Sequence, residues 1–395
     1  MCARPAYDAV VVRFGPEIGV KSRPVRLRYE RLITKHVRKA LRRREIPYGS
    51  IEYEFGRLFV FTSRPVEAAE AISRVFGVSS TSPAVSTAPE LSAIVSAGLE
   101  LAKAILRRGA SFAIRCRRAA EQPYTSLDVC RALGEAILSE LGHLGLKVNL
   151  EKPDKTIFVE VRKDRAYVFS DTYEGVGGYP IGVQGKVLCL LSGGIDSPVA
   201  CWLAMKRGCL PLLVHFDIRP FTDDRLVEKV IELARVLADW SLGAIKHLYV
   251  VPYGHVLTKV KEKCPEELTC VICKRLMLRI AERMAKARGA HGIVLGDALG
   301  EQASQTLRNI RAIDSALAEL PALRPLLCFD KDETVRLARR IGTYDISSRP
   351  DGGCSAAPDR PTTAASLEAV EEAEKEIDVR ALIERTLPMA RKHVI

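Results

Sequence analysis

The sequence predicts an α/β fold in which two small α+β domains precede a C-terminal domain built on a parallel sheet. A β-α-β-β-α run comes first, a second mixed run follows, and strands then alternate with helices along the rest of the chain. Such alternation favours a parallel sheet with helices on both faces, whereas mixed runs of the first kind favour α+β domains. The boundaries that we predict for the three domains are 1–66, 67–174 and 180–395.

The elements of the two N-terminal domains follow from hydrophobic periodicity and turn residues. The first domain is predicted to contain a strand over 7–14, a basic helix over 25–44, a hairpin over 51–61 and a helix over 65–76. The second is predicted to contain helices over 91–107 and 126–141 and strands near 111–116, 146–150, 156–161 and 166–170. Gly and Pro residues over 175–180 mark the main boundary.

The C-terminal domain shows the alternating pattern. Its predicted elements are, in order, 186–191, 197–206, 210–216, 223–238, 247–251, 273–288, 291–296 and 331–341. In an open sheet of this kind the ligand lies beyond the carboxyl ends of the strands. An acidic helix is also predicted over 366–378, and the sequence assigns it no role.

Composition and charge limit the class of protein and the kind of partner. Hydrophobic residues make up 47% of the 395 residues and charged residues 27%, which excludes disordered and fibrous classes. The sequence has neither a long uncharged apolar run nor signal-peptide anatomy, so we expect a cytoplasmic protein with no membrane partner. The net charge of +12 suits a polyanionic partner. A solvated basic surface explains the charge alone equally well.

The cysteines separate into two kinds. Cys189, Cys201, Cys209 and Cys328 lie in apolar runs, and we predict them to be small core residues. One paired spacing occurs, Cys270-Val271-Ile272-Cys273, and in a reducing compartment it points to metal or redox chemistry.

The strongest chemical signal is a glycine-containing turn between a strand and a helix. The apolar run 187–191 is followed directly by Ser192-Gly193-Gly194-Ile195-Asp196-Ser197 and then by a helical run. Free backbone N–H groups and the helix dipole favour a phosphate at such a turn. No lysine follows the glycines as in a Walker loop. Hydroxyls that donate to pyrophosphate and a carboxylate that holds Mg²⁺ indicate a nucleotide cleaved between its α and β phosphates.

S-G-G-I-D-S resembles the PP-loop of adenine-nucleotide α-hydrolases, and the likeness extends to the ThiI family of tRNA 4-thiouridine synthetases. Segments similar to that family run in order along nearly the whole chain: E-I-G-V-K-S, F-A-I-R-C-R-R-A, G-G-Y-P-I-G-V-Q-G-K, K-R-L-M-L-R-I-A, G-D-A-L-G-E-Q-A-S-Q-T-L and I-G-T-Y-D-I-S. The resemblance implies that 1–66 is a ferredoxin-like domain, 67–174 a THUMP RNA-binding domain and 180–395 a PP-loop catalytic domain. The chain resembles the short form without a rhodanese domain, which lowers the expectation of a role in thiamine thiazole synthesis.

The implied reaction uses ATP and Mg²⁺ to adenylate a tRNA uridine, expected at position 8, with release of AMP and pyrophosphate. Sulfur transfer then gives 4-thiouridine. The alternative is another PP-loop adenylating enzyme acting on RNA or a small molecule, either an amide-forming one or one that transfers sulfur for the thiamine thiazole. A pure RNA-binding module is a third alternative, but it would leave S-G-G-I-D-S without a role.

The expected nucleotide-binding residues are the strand end and loop, the end of the next strand, and single residues further on: Leu190, Leu191, Ser192, Gly193, Gly194, Asp196, Ser197, His215, Phe216, Lys274, Gly296 and Gln305. The expected catalytic residues are Asp196, Lys331, Cys354, Cys270 and Cys273. The resemblance implies that Lys331 stabilises the negative charge on the α-phosphate. Two departures concern the nucleotide contacts, since Asp297 stands where the family has glutamate and Glu301-Gln302 where it has Gln-Val.

Cys354 lies in a glycine-rich loop, where its thiol is expected to be accessible. With Cys270 and Cys273 it makes three thiolates, one fewer than a closed zinc site or a four-cysteine cluster needs. Three interpretations stay open: an iron–sulfur cluster whose open iron binds sulfide, a persulfide on Cys354 that Cys270 or Cys273 resolves, and zinc with a fourth ligand. The sulfur donor, sulfide or a cysteine desulfurase persulfide, also stays open.

The expected RNA-binding residues are two groups of cations. They are Arg26, Arg28, Arg31, Lys35, Arg38, Lys39, Arg42, Arg43 and Arg44 in the first domain, and Arg115, Arg117 and Arg118 in the second. Few aromatic residues accompany them, so recognition of folded tRNA by shape and phosphates is favoured over base stacking. Whether the protein forms a homodimer stays open.

Overall fold

The computed structural model describes residues 6–54, 56–350 and 352–395. The chain divides into two units, residues 1–180 and residues 181–395. The predicted class is confirmed, because mixed strands and helices form the first unit and strands alternating with helices form the second. Among the helices that the structure describes, none combines the length and the apolar character needed to cross a membrane.

The first unit is built on one nine-stranded sheet. Its strands are β1 (Ala9–Phe14), β2 (Ile51–Glu54), β3 (Arg57–Phe61), β4 (Val78–Thr87), β5 (Ser111–Arg118), β6 (Lys147–Val148), β7 (Lys155–Val161), β8 (Ala166–Phe169) and β9 (Tyr173–Glu174). Its helices are α1 (Pro16–Gly19), α2 (Arg23–Arg43), α3 (Pro65–Ser73), α4 (Leu91–Ile105) and α5 (Ser126–Leu141). The strand order is β2-β3-β1-β4-β8-β7-β5-β6, and β9 pairs with β4.

Strand β4 was not predicted, and it joins the two halves of this sheet. Its residues 78–84 pair with β1, whereas 85–87 pair with β8. The sequence V-S-S-T-S-P-A-V-S-T is polar and contains proline, so it resembles a loop. The polar side chains find partners on neighbouring elements: Thr81 Oγ donates to the Ala69 carbonyl of α3 at 2.8 Å, and Ser82 Oγ accepts from Arg13 of β1 at 3.0 Å. A further strand therefore follows the predicted β-α-β-β-α run.

Helix α2 separates its apolar and basic residues onto different faces. Ile33, Val37 and Leu41 recur at fourfold spacing and are fully buried, as expected of an amphipathic helix on a sheet. Eight of the nine predicted cations are exposed, and Arg26 is half-buried. The intervening acid, Glu30, is buried and accepts a hydrogen bond from Tyr53 at 2.8 Å. The basic face thus contains no exposed carboxylate between Arg26 and Arg44.

The second unit contains a six-stranded sheet of order β14-β13-β10-β11-β12-β15. Its strands are β10 (Lys186–Leu190), β11 (Leu210–Asp217), β12 (His247–Pro252), β13 (Ala290–Val294), β14 (Ala322–Leu323) and β15 (Arg391–Val394). Its helices are α6 (Asp196–Lys206), α7 (Leu226–Trp240), α8 (Gly254–Lys263), α9 (Thr269–Ala287), α10 (Leu307–Asp314), α11 (Lys331–Ile341), α12 (Tyr344–Ser347), α13 (Leu367–Glu374) and α14 (Val379–Thr386). All neighbouring strands are parallel except β15, which is antiparallel to β12.

The chain order of these strands creates a switch point beside β10. From β10 the chain continues to β11 and β12 on one side, and it then returns to place β13 on the other side. The segments that leave β10 and β13 at their carboxyl ends therefore diverge, which opens a crevice where ligands bind in such sheets. Ser192–Ser197 and Gly296–Gln305 follow these two strands.

The predicted acidic helix over 366–378 corresponds to α13 and is anchored by one buried carboxylate. Glu374 is 8% exposed and accepts hydrogen bonds from Arg275 (2.8 and 3.0 Å) and Arg279 (3.0 and 2.8 Å), both on α9. Because Arg275 is itself 1% exposed, this is a desolvated charge pair. The acidic helix is therefore part of the support of α9, which carries the C-x-x-C pair.

The prediction for the four cysteines in apolar runs was right for two of them. Cys189 and Cys201 are buried, but Cys209 is half-buried and Cys328 is exposed. Cys328 lies in the irregular segment between β14 and α11, where Leu326 supplies the buried side chain. An apolar run in a surface connection buries some of its residues only, so the prediction for Cys328 was wrong.

Candidate active site

The predicted phosphate loop lies between β10 and α6, as the sequence indicated. The two serines at its ends close it: Ser197 Oγ accepts from the Ser192 backbone N–H at 2.9 Å, and the two hydroxyls are also 2.9 Å apart. The Gly194 carbonyl accepts from Ser347 Oγ at 3.4 Å. Helix α6 begins at Asp196 without a side-chain cap, so the loop offers an anion the uncapped end of a helix dipole.

Gly296, predicted to contact the nucleotide, packs against the start of helix α6. A Cβ atom at this position would lie 2.7 Å from the Ser197 backbone nitrogen and 2.8 Å from its Cα. Real Cβ atoms do not make contacts as short as these, so only glycine fits at this position without a shift of the backbone. Gly296 therefore fixes the segment after β13 directly against the phosphate loop.

Lys331 and Asp196, both predicted to be catalytic, are in contact. Lys331 Nζ donates to Asp196 Oδ1 at 2.7 Å and to Glu301 Oε2 at 2.9 Å. Burial disfavours the charged ammonium, but the hydrogen bonds to these carboxylates outweigh it and raise the pKa of Lys331. Burial raises the pKa of Asp196, and Lys331 opposes this shift. Glu301, which the sequence shows only as a departure from the family pattern, is thus part of the site.

Lys274 and Gln305 meet at a residue that the prediction had not included. Asp297 Oδ1 accepts from Lys274 Nζ at 2.9 Å and from Gln305 Nε2 at 3.3 Å. Its other oxygen accepts from Arg324 Nε at 3.0 Å. Burial opposes the charged carboxylate, but Lys274 and then Arg324 outweigh it and lower the pKa of Asp297. The sequence signal was the glycine-aspartate pair at the end of a buried strand.

His215 and Phe216 lie at the end of β11, next to the loop strand, as predicted. His215 is 4% exposed, and its Nδ1 is 2.9 Å from the Leu191 carbonyl. Burial lowers the pKa of His215, so its ring is neutral at physiological pH. Phe216 packs edge-on against Tyr253, with ring centroids 5.3 Å apart. Leu191 is buried and Leu190 half-buried, so these residues offer mainly backbone contacts.

The C-x-x-C pair lies in the first turns of α9, which begins at Thr269, four residues earlier than predicted. Cys270 and Cys273 are half-buried, whereas Cys354 is exposed as predicted. The loop of Cys354 is held by Ser355, whose backbone N–H donates to the Phe221 carbonyl at 2.9 Å. Burial and then the nearby Cys354 raise the pKa of Cys270. Burial raises the pKa of Cys273 to about 12.

The structure thus brings the three predicted cysteines into one neighbourhood. Within residues 6–54, 56–350 and 352–395, however, no group of three or more His, Cys, Asp or Glu side chains is arranged to hold a metal ion. The three-thiolate ligand set stays a prediction.

The first unit presents a second cationic feature, in which two of the predicted RNA-binding arginines meet two arginines that the sequence did not single out. Arg13, Arg57, Arg115 and Arg117 line a cavity of about 280 Å³ on its sheet, with Glu160 among them. Glu160 is 4% exposed and accepts from Arg57 Nε at 3.2 Å and Arg162 Nε at 3.1 Å. The arginines come from β1, β3 and β5, so only the folded sheet reveals the cluster.

Comparison with known proteins decides the family. A family model described as Thiamine biosynthesis protein (ThiI) matches residues 182–379. A Methanosarcina mazei protein with the name "probable tRNA sulfurtransferase" is 42% identical over 97% of this chain and 95% of its own. This chain belongs to the ThiI family. A Methanothermobacter thermautotrophicus protein of the same name is 41% identical, over 95% of each chain.

The other parts of the chain match two further family models. A THUMP domain matches residues 90–171, and the ThiI ferredoxin-like domain matches 9–82. These matches confirm the three predicted kinds of domain, while the boundaries 1–66, 67–174 and 180–395 stay a prediction.

Two solved structures are similar to the whole fold. A 4-thiouridine synthetase in complex with RNA and ATP superimposes with a TM-score of 0.86 at 32% identity, covering 98% of this chain and 100% of that one. The Pyrococcus horikoshii protein PH1313 superimposes with a TM-score of 0.66 at 28% identity, covering 85% and 99%. The ThiI fold therefore extends over nearly the whole chain.

Proposed function

We propose that this ThiI protein is an ATP-dependent tRNA sulfurtransferase that converts a uridine, expected at position 8, into 4-thiouridine. The observation that carries this proposal is the contact between Asp196 of the phosphate loop and Lys331, at the switch point of the sheet. The relatives named tRNA sulfurtransferase and the neighbour solved with RNA and ATP support it.

We assign the crevice to an adenine nucleotide. Its loop offers the uncapped start of α6 to the phosphates. Within the described residues, His215 Nε2 and Gln305 Oε1 are buried polar atoms with no protein partner, and buried polar atoms are normally paired. A bound nucleotide would supply such partners. Asp196 is the loop carboxylate suited to Mg²⁺, which prefers carboxylate and phosphate oxygens.

In the first step the uridine O4 attacks the α-phosphorus, and the bond to the β-phosphate breaks to release pyrophosphate. Negative charge accumulates on the α-phosphate oxygens as this bond forms. A fixed ammonium stabilises such charge because it needs no reorganisation. Lys331 meets this requirement: it begins α11, whose capping box of Asp330 and Glu333 holds the helix start.

In the second step a sulfur nucleophile attacks C4 and AMP leaves. We assign this step to Cys354 together with Cys270 and Cys273. Either the three thiolates hold an iron–sulfur cluster, which would supply an open iron for sulfide, or Cys354 carries a persulfide. In the persulfide route the terminal sulfur goes to C4, and Cys270 or Cys273 then closes a disulfide with Cys354. The matching donors are free sulfide and a cysteine desulfurase.

We assign tRNA binding to the exposed cations of α2, because phosphate contacts supply most of the affinity for RNA. Arg115 and Arg117 on β5 are also exposed, and we assign them to the same partner. Incubation of tRNA with the protein, ATP, Mg²⁺ and either sulfide or a cysteine desulfurase with cysteine, followed by nucleoside analysis, tests the proposed function. Sedimentation of the protein alone tests the homodimer.

A further inference from the structure

One buried carboxylate connects two side chains that we expect to contact the nucleotide. Asp297 is 6% exposed, and its Oδ1 accepts from Lys274 at 2.9 Å and from Gln305 at 3.3 Å. Lys274 comes from α9 and Gln305 from the segment after β13. Two separate elements are therefore fixed to each other at a single oxygen atom.

Asp297 is itself fixed from two directions. The preceding residue, Gly296, packs against the start of α6, where an added Cβ would lie 2.7 Å from the Ser197 nitrogen. On the other side, Asp297 Oδ2 accepts from Arg324 Nε at 3.0 Å, and Arg324 forms two further hydrogen bonds of 2.8 and 2.7 Å to Asp314. The carboxylate thus has a set position relative to the phosphate loop.

We propose that Asp297 is a positioning residue for the nucleotide, which orients Lys274 and Gln305 toward the phosphate loop before ATP binds. The inference rests on the proposed function, since it assumes that these two side chains contact ATP. Without the carboxylate, both side chains lose rotamer freedom only when the nucleotide binds, and this ordering opposes binding. The affinity for ATP therefore falls, whereas the chemical step at Asp196 and Lys331 is unaffected.

The chain offers a matched control for this role. Asp314→Asn weakens the support of Arg324 and leaves the contacts of Asp297 with Lys274 and Gln305 in place. Asp297→Asn removes the charge that holds Lys274. A merely structural role of the network predicts similar effects for the two variants, but a positioning role predicts an effect on the nucleotide for Asp297→Asn alone.

The experiment measures binding of α,β-methylene ATP by calorimetry, together with KM and kcat for ATP. Asp297→Asn should raise the Kd of the analogue and the KM for ATP about tenfold with kcat within about twofold. Asp314→Asn should change all three by less than about twofold, and Asp297→Glu, which keeps the charge, should restore most of the affinity. Equal effects of the two asparagine variants, or a loss confined to kcat, would overturn the inference.

A second variant keeps the test decisive if Asp297→Asn does not fold. Lys274→Met should weaken binding of the analogue to a similar degree without a change in melting temperature. Unchanged affinity for the analogue would overturn the inference. Failure of the proposed function has a different signature. If the wild-type protein binds no analogue, both proposals fail, whereas normal binding with equal effects of the two asparagine variants removes only the role of Asp297.

Discussion

The ammonium of Lys331 lies 2.7 Å from the carboxylate of Asp196, although 135 positions separate the two residues in the chain. One begins α11 and the other begins α6, so the contact joins the N-termini of two helices. Glu301 adds a second carboxylate 2.9 Å from the same ammonium. These three side chains form the chemical centre of the proposed adenylation.

Asp196→Ala should abolish formation of AMP and pyrophosphate, because it removes the loop carboxylate suited to Mg²⁺ and one partner of Lys331. The fold should be retained, since Asp196 is only partly buried. Pyrophosphate release measured beside a thermal melt checks both statements. A folded variant with wild-type turnover would show that the loop carboxylate has no part in the chemistry.

Glu301→Gln should move the alkaline limit of activity to lower pH. The hydrogen bonds to Asp196 and Glu301 raise the pKa of Lys331 above 10.5, so the ammonium keeps its proton to higher pH than an ordinary lysine. Removing one carboxylate lowers that pKa, and the proton is lost earlier as pH rises. The measurement is the pH dependence of pyrophosphate release. Asp332→Asn on the same helix serves as the control, because the hydrogen bonds of Lys331 go to Asp196 and Glu301, and it should leave the profile unchanged.

Reversing the charge of Arg38, Arg42 and Arg43 together should weaken tRNA binding and reduce its dependence on salt. These three side chains are exposed on α2. The plot of log K against log salt has a negative slope, and each lost phosphate contact reduces its magnitude by about 0.9 for duplex nucleic acid. Reversal of Lys375, Arg380 and Arg391 changes the net charge equally and serves as the control. Equal losses in both triple variants would mean that net charge, and not α2, determines the affinity.

Glu374→Ala should destabilise the second unit by about 3–5 kcal/mol at neutral pH, because it leaves the buried Arg275 without its carboxylate. Burial opposes ionisation, but Arg275 and Arg279 outweigh it and hold the pKa of Glu374 below 4.5. The ion pair therefore stabilises the fold fully at pH values above 4.5, the pKa of an ordinary glutamate. This stabilisation is lost as the pH falls through the lower pKa that Glu374 has in the folded protein. Denaturant unfolding at several pH values should show that the free energies of unfolding of the wild-type protein and Glu374→Ala converge in acid. Glu372→Ala, which removes an exposed carboxylate, is the control.

Serine at Cys270, Cys273 or Cys354 should abolish thiolation while AMP-forming activity persists, because the cysteines are assigned to the second step only. Cys328→Ser is the matched control, since Cys328 is also exposed but lies outside the centre. The iron content of anaerobically purified protein separates the two routes. If the wild-type protein contains iron and acid-labile sulfide and each serine variant loses both, the result supports a cluster. If the protein is active without iron and forms a mixed disulfide at Cys354, the result supports the persulfide.

The sequence was sufficient where a local pattern determines the structure. A continuous apolar run followed by S-G-G-I-D-S placed the phosphate loop, and a glycine-rich segment predicted the exposed thiol of Cys354. It was insufficient where tertiary contacts decide. Strand β4 has a polar sequence, and it is a strand because Thr81 and Ser82 find partners within the first unit. The short edge strand β15 pairs with β12, and its sequence R-K-H-V gives no apolar signal.

The same limit explains which site residues were missed. Asp297 and Glu301 were visible only as departures from the family pattern. Their partners Lys274 and Lys331 lie 23 and 30 positions away in the chain, so no local motif connects them. The helix α9 also begins earlier than its apolar pattern indicates, because a short turn over Glu266–Leu268 leads directly into it.

The most direct test of the proposed function follows all products of the reaction with tRNA. Unmodified tRNA is incubated anaerobically with the protein, labelled ATP, Mg²⁺ and either sulfide or a cysteine desulfurase with cysteine, and the nucleosides and nucleotides are then quantified. A tRNA sulfurtransferase should form 4-thiouridine with at least one of the two donors, with AMP and pyrophosphate formed in equal amounts and no product without ATP. Release of ADP and phosphate, or AMP formation that yields an amide or a small-molecule product in place of 4-thiouridine, would contradict it.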